Sequence, residues 1–309
     1  MNPRQIFSVF LLMIVFFSRS IYCFAHSIND DEENDFTKNK NRKGFYAGAY
    51  FGSYFANKYT AKIYDGYGLD ANGVKNNFVN SFIHRRIVFD YGGGNGQIDQ
   101  IAQQLNINPG EWNFDETDMP ADMKYNPAFM VGMQVLYSIT QKDALLINSN
   151  IARLTLNGNF TITIIAPPIG PQQPNYKNIR TFSVTGGEQR IMFQAGYRRI
   201  LGDNDMLNFF VECGPTLNMA KFIRNMITIN NLPIDLSVYY NQPYYTTYHA
   251  RYLKGVGLGA FVSLGTNICI NPKWSIQLLY ALSRECINIG ENPKHTLQNA
   301  IGIRALYNL

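Results

Sequence analysis

An alternation of apolar and polar residues is the feature that most constrains how this chain can fold. The last fifteen residues, HTLQNAIGIRALYNL, show it. Read in steps of two, one face of this segment carries Leu297, Asn299, Ile301, Ile303, Ala305, Tyr307 and Leu309. The other face is mostly polar. Because successive side chains of a β-strand point to opposite faces, the segment is predicted to be a strand that runs to the final residue.

The same pattern recurs from Gly44 onward and predicts an all-β fold. The predicted strands are Gly44–Asn57, Asn126–Thr140, Ala144–Ile164, Glu188–Ile200, Leu207–Met219, Gly255–Ile270, Trp274–Ile289 and His295–Leu309. In the sixth strand, apolar residues alternate with positions that are mostly glycine. Glycine weakens the core of a β-sandwich, but it fits a narrow lumen in which side chains from opposite walls must not collide.

The connections between these strands alternate in length. TQKDA, LGDNDM and NPK are short, whereas Lys58–Tyr125, Ile165–Gly187 and Ala220–Lys254 are long; GENPK, the last connection, is also short. Short turns at one end and long loops at the other are typical of outer-membrane barrels. We therefore expect an eight-stranded antiparallel up-and-down transmembrane β-barrel with long extracellular loops.

The first long loop needs structure of its own, because loops of this length are rarely featureless. We expect a β-ribbon at FIHRRIVFDY and a short helix around Ile98, Ile101 and Leu105. A ten-stranded barrel that uses the ribbon is the main structural alternative.

The N-terminal segment reads MNPRQIFSVFLLMIVFFSRSIYCFAHS. One arginine precedes an apolar stretch from Ile6 to Phe17, and small residues follow, so residues 1–25 are predicted to be a secretory signal peptide. Cleavage is expected after Ala25, with Ser20 as the alternative site, and an uncleaved anchor is the alternative reading. Residues 26–43 are nearly all polar or charged and are predicted to be a disordered periplasmic tether. The barrel domain is predicted to span residues 44–309.

Composition excludes several classes of protein. Charged residues make up 16% of the chain, and beyond the N-terminus no run of about 18 apolar residues occurs, so helical membrane spans are not expected. The net charge of +5 is dispersed, which gives no support to nucleic-acid binding. Of the four cysteines, Cys23 lies in the predicted signal peptide. The remaining Cys213, Cys269 and Cys286 are odd in number and widely spaced, which argues against a disulfide framework and a zinc site. No cofactor or metal is expected.

A soluble sandwich or a lipocalin-like barrel would show alternation as well. In such a protein the apolar face points inward and the polar face points to water. Here the more polar face carries the glycines, which favours a crowded lumen over a solvated exterior. The sequence therefore favours the membrane barrel.

Three charged residues, Arg198, Glu212 and Arg304, fall on the polar faces of their strands, a few residues from the short turns. An Arg or Lys facing lipid at the midplane costs about 2–4 kcal/mol, so an inward orientation is expected. The hypothesis is an ionic plug that closes the lumen to free diffusion. The alternative is polar filling with no gating role.

The loop segment VYYNQPYYTTYHARY is rich in tyrosine, at Tyr239, Tyr240, Tyr244, Tyr245, Tyr248 and Tyr252. Tyrosines supply rigid contact area in binding loops, so this segment is a possible binding surface. An aromatic girdle on strands that extend beyond the membrane is the favoured alternative.

Enzymatic activity is not expected. The barrel region holds three histidines, His84, His249 and His295. An outer-membrane enzyme needs a histidine placed with a nucleophile or an acid, and none of the three has such a neighbour in the sequence.

The opening strand GFYAGAYFG, the seven further amphipathic strands and the Tyr-x-Leu carboxyl end resemble the small outer-membrane barrels of the OmpA/OmpX type. Among these, residues 44–309 look most like the PorT-like outer-membrane β-barrel proteins of Bacteroidota. The resemblance implies an outer-membrane location and a structural or surface-interaction role. An accessory barrel of a protein secretion system and a lipid-modifying enzyme are the alternatives.

The resemblance also implies partners. These are outer-membrane lipid and lipopolysaccharide, the barrel-assembly machinery during biogenesis, and an extracellular ligand or a secretion component. In the family, the last strand is the membrane-insertion signal. The positions that match it are Ile301, Ile303, Ala305, Tyr307 and Leu309, where Leu309 replaces the usual Phe.

Overall fold

The computed structural model describes residues 44–70, 74–88, 97–165, 178–202, 204, 206–237, 254–287, 289 and 294–309. The strands are β1 (Gly44–Phe55), β2 (Trp112–Asn113), β3 (Ala121–Tyr125), β4 (Ala128–Ser138), β5 (Asp143–Ile164), β6 (Asn178–Leu201), β7 (Leu207–Ile229), β8 (Leu232–Asp235), β9 (Lys254–Cys269), β10 (Trp274–Cys286) and β11 (His295–Asn308). The α-helices are α1 (Phe82–Ile87) and α2 (Ile98–Leu105), and 3-10 turns span Lys58–Tyr64 and Glu116–Asp118. Within these ranges, no helix is long and apolar enough to cross a membrane.

Eight of the strands close into a ring. The order around it is β1, β4, β5, β6, β7, β9, β10 and β11, and all neighbours are antiparallel. The first and last strands pair directly, with Ala49 opposite Ala305. Closure leaves no unpaired strand edge in the ring, as a hydrocarbon environment demands. The predicted eight-stranded barrel is confirmed.

The ten-stranded alternative is wrong. In the described part of FIHRRIVFDY the chain forms α1 and not a strand. Ser81 caps this helix by accepting a hydrogen bond from the backbone N–H of His84, and Phe82, Ile83 and Ile87 are its buried residues. These three apolar residues recur at helical spacing and share one side of the helix. The helix predicted around Ile98, Ile101 and Leu105 is confirmed as α2.

One end of the barrel carries the connections 139–142, 202–206 and 270–273, and we call it the turn end. Leu309 also lies there, and its backbone N–H donates to the carbonyl of Phe45. The opposite end, from which the chain between β1 and β4 departs, is the loop end.

The outward face of the ring is apolar. Exposed apolar side chains on it are Phe45, Phe51, Phe129, Val131, Met133, Val135, Leu145, Ile147, Ile151, Phe193, Tyr197, Phe209, Leu217, Met219, Val256, Leu258, Val262, Leu264, Trp274, Ile276, Leu282, Leu297 and Ile303. The buried polar side chains on the inward face include Gln134, Asn148, Asn150, Arg198, Glu212, Thr216, Ser263, Gln277 and Arg304. The apolar face of the barrel therefore points outward and the polar face inward, which is the reverse of a lipocalin-like protein. The glycines on the polar face indicated this orientation.

The inward glycines have a different reason from the expected one. A Cβ atom built on Gly257 would lie 1.5 Å from the carbonyl oxygen of Cys286, and one on Gly265 would lie 2.4 Å from the ring of Phe210. These contacts come from neighbouring strands of the ring, not from the opposite wall. The glycines let adjacent strands approach closely.

Strands β5, β6 and β7 continue beyond the ring at the loop end, and the polarity of their faces reverses there. On β5 the outward residues Leu145, Ile147 and Ile151 give way to Arg153, and polar residues then occupy the outward positions through Thr163. The inward residues change in the opposite sense, from Asn148 and Asn150 to Leu154, Leu156, Phe160 and Ile162. The outward face of β5 is therefore suited to an apolar environment in its lower part and to water in its upper part.

This reversal explains two errors in the predicted boundaries. The fourth predicted strand begins at Asn178 and not at Glu188, and the fifth ends at Ile229 and not at Met219. Parts of the predicted loops 165–187 and 220–254 are therefore strand. The predicted strands stopped where the outward apolar residues stopped, but the backbone pairing continues.

The first loop packs against the inner face of the extended strands. β2 and β3 pair with the upper part of β5, and β8 pairs with β7. Residues of α1, α2 and the extended strands share one apolar core, formed by Ala61, Tyr64, Phe82, Ile83, Ile87, Ile101, Ala102, Leu105, Trp112, Phe114, Met119, Met123, Leu156, Phe160, Ile162, Phe182, Val184, Phe222, Ile227, Ile229, Ile234 and Leu236. This core is that of a water-soluble cap at the loop end.

Candidate functional site: the charged lumen

Two clusters of charged side chains lie inside the barrel. The lower cluster, nearer the turn end, consists of Arg198 on β6, Glu212 on β7 and Arg304 on β11. The upper cluster, nearer the loop end, is built around Glu188 and Arg190 on β6. All five side chains are buried.

In the lower cluster one carboxylate holds two guanidinium groups. The Nε atom of Arg198 donates to Oε1 of Glu212 at 2.8 Å, and Nη1 of Arg304 donates to the same oxygen at 3.0 Å. Nη2 of Arg198 donates to this oxygen as well. The guanidinium of Arg198 also lies 4.5 Å from the centre of the Phe210 ring. The structure thus brings the three residues predicted from the sequence into direct contact.

Amide side chains extend the lower cluster across the lumen. Oε1 of Gln277 accepts from Arg198 and from Arg304, both at 3.0 Å. Oε1 of Gln134 accepts from Arg198 at 3.1 Å. The NH2 groups of these two glutamines donate in turn to Asn267 and Asn148, each at 2.8 Å. Together these residues come from β4, β5, β6, β7, β9, β10 and β11, so the network joins most of the ring.

The sequence does not identify the upper cluster. Arg190 is fully buried. Its Nε donates to Oε1 of Glu188 at 2.6 Å, its Nη1 to the hydroxyl of Tyr54 at 3.1 Å and its Nη2 to the hydroxyl of Thr60 at 2.9 Å. Glu188 also accepts from the hydroxyl of Tyr125 at 2.7 Å. Thr60 and Tyr125 belong to the first loop and Tyr54 to β1, so this ion pair fastens the cap to the barrel wall.

One local signal could have indicated part of this cluster. Glu188 and Arg190 are two residues apart in a predicted strand, so they share a face, and charges of opposite sign on the inward face of a narrow barrel are expected to pair. Their loop partners could not have been found in this way, because Thr60 and Tyr125 are distant in sequence.

A small polar cavity separates the two clusters. Its volume is about 30 Å³, and its lining includes Tyr50, Asn150, Ser283, Glu285 and Arg304. A cavity of this size and polarity can hold a water molecule. The interior is therefore a filled space with a polar pocket between two ionic layers.

The other sequence-predicted positions are placed as follows. Ile301, Ile303, Ala305 and Tyr307 alternate along β11, Leu309 comes directly after its last residue, and the Tyr307 ring lies 4.9 Å from that of Trp274. Their role as an insertion signal stays a prediction. The six tyrosines between 239 and 252, the signal peptide and the tether lie outside the described residues.

The described histidines lie apart from the lumen clusters. His84 is in α1, where its ring packs edge-on against Phe78 at 4.7 Å and partial burial lowers its pKa. His295 begins β11, and His249 lies outside the described residues. In the part of the chain that the structure describes, no group of three or more His, Cys, Asp or Glu side chains is placed to hold a metal ion.

A closed antiparallel barrel with an apolar exterior and a polar, charged interior is the architecture of an integral outer-membrane protein. The chain is an eight-stranded outer-membrane β-barrel. In such barrels short turns lie in the periplasm and long loops outside the cell. The turn end is thus periplasmic and the capped loop end is extracellular.

The chain matches no protein-family model and no curated protein. Among solved structures it is similar to Neisserial surface protein A (NspA), with 9% identity and a TM-score of 0.39 over 86% of this chain and 97% of that chain. It is also similar to OprG from Pseudomonas aeruginosa, with 8% identity and a TM-score of 0.37 over 87% of this chain and 98% of that chain. A third is Ail, the attachment invasion locus protein of Yersinia pestis, with 6% identity and a TM-score of 0.33 over 86% of this chain and 99% of that chain. Likenesses at this level carry no argument about function, and the class rests on the strand pairing and the apolar exterior.

Proposed function

We propose that this protein has a structural or surface-interaction role in the outer membrane, with a lumen that is closed to diffusion and without catalysis. The observation that carries the proposal is the lower cluster. Its buried arginines, Arg198 and Arg304, meet one carboxylate inside the ring. An eight-stranded barrel has an interior just wide enough for side chains to fill.

The cap supports the same function. The upper cluster binds the first loop to β1 and β6 through Arg190, and an apolar core fills the space above it. A solute entering from outside would meet the folded cap, then the Glu188–Arg190 pair, then the lower cluster. Three successive obstacles favour a closed barrel over a general porin.

The work of the protein is then expected at its extracellular surface. The outward face of the extended β5 and β6 carries many threonine, serine and asparagine side chains, among them Thr155, Asn157, Thr161, Thr181 and Ser183. Together with the cap, this face forms a folded, hydrated surface. It lies beyond the band of apolar side chains on the outside of the ring, which we call the apolar belt. It supports an interaction role with an external ligand or a neighbouring protein.

Planar-bilayer recording of the purified full chain tests the closed lumen. The wild type is expected to show no stable open state. Glu212→Ala, which leaves two buried arginines facing each other, is expected to produce transient conductance, and Asp143→Asn at the exposed periplasmic rim serves as the control. If the wild type conducts steadily, the closed lumen is wrong; if Glu212→Ala conducts no more than the control, the lower cluster is polar filling and not a plug.

Two further measurements separate the alternatives that the resemblance to PorT-like proteins raises. Co-purification with components of a secretion system would support an accessory role in secretion. Release of labelled acyl chains from lipopolysaccharide would support a lipid-modifying enzyme. The barrel-assembly machinery is a proposed partner during biogenesis, through the alternating residues of β11.

A further inference from the structure

A cleft opens at the loop end of the barrel, between the folded first loop and the hairpin of β10 and β11. One wall is formed by the 3-10 turn Lys58–Tyr64, and the opposite wall by Ile287 and Ile289, which follow β10. Leu69 and Lys75, which form an isolated antiparallel bridge, line a third side. The described residues of this lining all lie outside the eight strands of the ring, so the cleft is separate from the charged lumen.

Most of the cleft is lined by apolar and aromatic residues. These are Tyr59, Ile63, Leu69, Ile287 and Ile289. The cleft has a volume of about 160 Å³, and a cavity of about 150 Å³ lined by apolar side chains accommodates a benzene-sized ring. Small-molecule sites are typically concave and mostly apolar, with a few polar groups that orient the ligand. The cleft therefore has the size and the lining for one hydrocarbon ring.

The charged residues that line the cleft are Lys62, Lys75 and Asp65. Nζ of Lys75 lies 2.7 Å from Oδ2 of Asp65, so these two charges balance each other. Lys62 is exposed, and its Nζ lies 5.3 Å from the centre of the Tyr59 ring. Nζ of Lys294 lies 5.0 Å from the centre of the same ring. Two ammonium groups are thus held around the one aromatic ring of the lining.

The described charges at the cleft are net positive. Three ammonium groups, those of Lys62, Lys75 and Lys294, accompany the carboxylate of Asp65. Asp70, which follows Leu69 in the sequence, is exposed, and its Oδ1 accepts from the backbone N–H of Val74 at 2.8 Å. Even with Asp70 included, cations exceed acids. A ligand of complementary charge is therefore an anion.

We propose that the cleft binds a small organic anion that combines one apolar ring with one carboxylate. The proposal rests on the surface-interaction role above and names a site and a ligand class for it. The ring packs against the aliphatic lining, and the carboxylate binds the ammonium groups of Lys62 and Lys294. Hydrogen bonds between charged groups are roughly twice as strong as neutral ones. An uncharged ring and a small anion without a ring each lack half of these contacts, so both bind more weakly.

The test is a fluorine NMR titration of para-fluorophenylacetate with the full chain in lipid nanodiscs. Empty nanodiscs measure the partition of the probe into lipid. The wild type is expected to bind the probe at one saturable site, from which unlabelled phenylacetate displaces it. Phenylacetamide has the same ring but no charge, and it is expected to compete about tenfold more weakly, which is the size of one hydrogen bond to a charged group. Acetate is expected to compete more weakly still.

Variants of the chain locate the site. K62Q/K294Q removes both ammonium groups beside the Tyr59 ring and is expected to weaken binding of the probe at least tenfold. The matched control K124Q/K221Q removes two exposed lysines that do not line the cleft, and it is expected to bind as the wild type does. Ile289→Trp fills the apolar part of the cleft and is expected to weaken binding at least tenfold.

A wild type that gives the same spectra as empty nanodiscs overturns the proposal. So does a K62Q/K294Q variant or an Ile289→Trp variant that binds as tightly as the wild type, or a control that loses binding to the same extent. If phenylacetamide competes as well as phenylacetate, the cleft accepts any apolar ring and the carboxylate assignment is wrong. If the double variant does not fold, the single variant K62Q decides the matter, with an expected weakening of about fivefold.

Gel mobility with and without boiling is measured on the same samples. A heat-modifiable barrel that does not bind the probe would refute this inference and leave the proposed function standing. A soluble protein with no mobility shift would refute both.

Discussion

Replacement of Glu212 by Gln should destabilise the barrel strongly, although it changes one oxygen to nitrogen. The carboxylate is fully buried and holds Arg198 and Arg304, both at about 3 Å from one of its oxygens. Glutamine keeps the size of the side chain and one hydrogen-bond acceptor. The variant therefore removes the negative charge and little else, leaving two buried guanidinium groups without a counter-charge.

The magnitude follows from the geometry. Because both guanidinium nitrogens lie about 3 Å from the same oxygen, they are at most about 6 Å apart. Two like charges at that separation repel by about 3 kcal/mol at an effective dielectric constant near 20. Removing one partner of a buried ion pair typically costs about 3–5 kcal/mol. We expect the free energy of unfolding to fall by about this amount.

The assay is reversible urea unfolding in lipid vesicles, followed by tryptophan fluorescence and by gel mobility. Asp143→Asn is the matched control, since it makes the same chemical change in the exposed pair with Arg199. It should cost no more than about 1 kcal/mol, as surface ion pairs do. The double variant E212Q/R304M removes one of the opposed charges and should recover at least half of the loss.

The reasoning would be refuted if the free energy of unfolding of E212Q lay within about 1 kcal/mol of the wild-type value. A loss of that size is expected only for the exposed control, Asp143→Asn. It would equally be refuted if E212Q/R304M were no more stable than E212Q. In that case the cluster would not be governed by the balance of buried charge.

Three further predictions concern the cap, the apolar belt and the last strand. Arg190→Gln should loosen the first loop, because it removes a buried cation that binds both the loop and the barrel wall. Limited proteolysis should cut the loop at least tenfold faster, while the barrel keeps its gel-mobility shift on boiling. Ile147→Arg should cost about 2–4 kcal/mol in vesicle unfolding, because a charge would face lipid, whereas Thr155→Arg, above the belt on the same strand, should cost less than about 1 kcal/mol. Tyr307→Ser should reduce insertion by the barrel-assembly machinery in cells severalfold but leave refolding in detergent nearly unchanged.

Each of the three has an outcome that contradicts it. Unchanged proteolysis of Arg190→Gln would mean that the apolar core alone holds the cap. Equal costs for the two arginine substitutions on β5 would place the edge of the belt elsewhere. A Tyr307→Ser barrel that fails to refold in detergent would show a structural role for this ring and not a targeting role.

Much of the ring could be predicted from the sequence, because a period of two is a local property. β4 was predicted as Asn126–Thr140 and runs from Ala128 to Ser138. Alternation also gave the inward orientation of Arg198, Glu212 and Arg304. Arg198 and Glu212 flank one short turn, so counting outward from that turn predicts that they meet, and they are paired in the ladder.

Other features depend on parts of the chain that are distant in sequence. Arg304 reaches Glu212 only because the ring closes. Thr60 and Tyr125 reach the Glu188–Arg190 pair only because the first loop folds back over the barrel. No local pattern contains this information, so the sequence could not identify the loop partners of the Glu188–Arg190 pair.

The sequence by itself determined which side chains share a face of each strand, since that follows from the backbone geometry of a strand. It could not determine what covers that face. On β5 the outward positions are mainly apolar up to Ile151 and polar from Arg153 onward, whereas the inward positions from Leu154 onward are mainly apolar, and the alternation of positions continues without interruption. Only the tertiary structure decided what covers each apolar face of β5. Along the lower part, lipid surrounds the closed ring and covers the outward face. Along the upper part, the folded first loop covers the inward face and water lies outside.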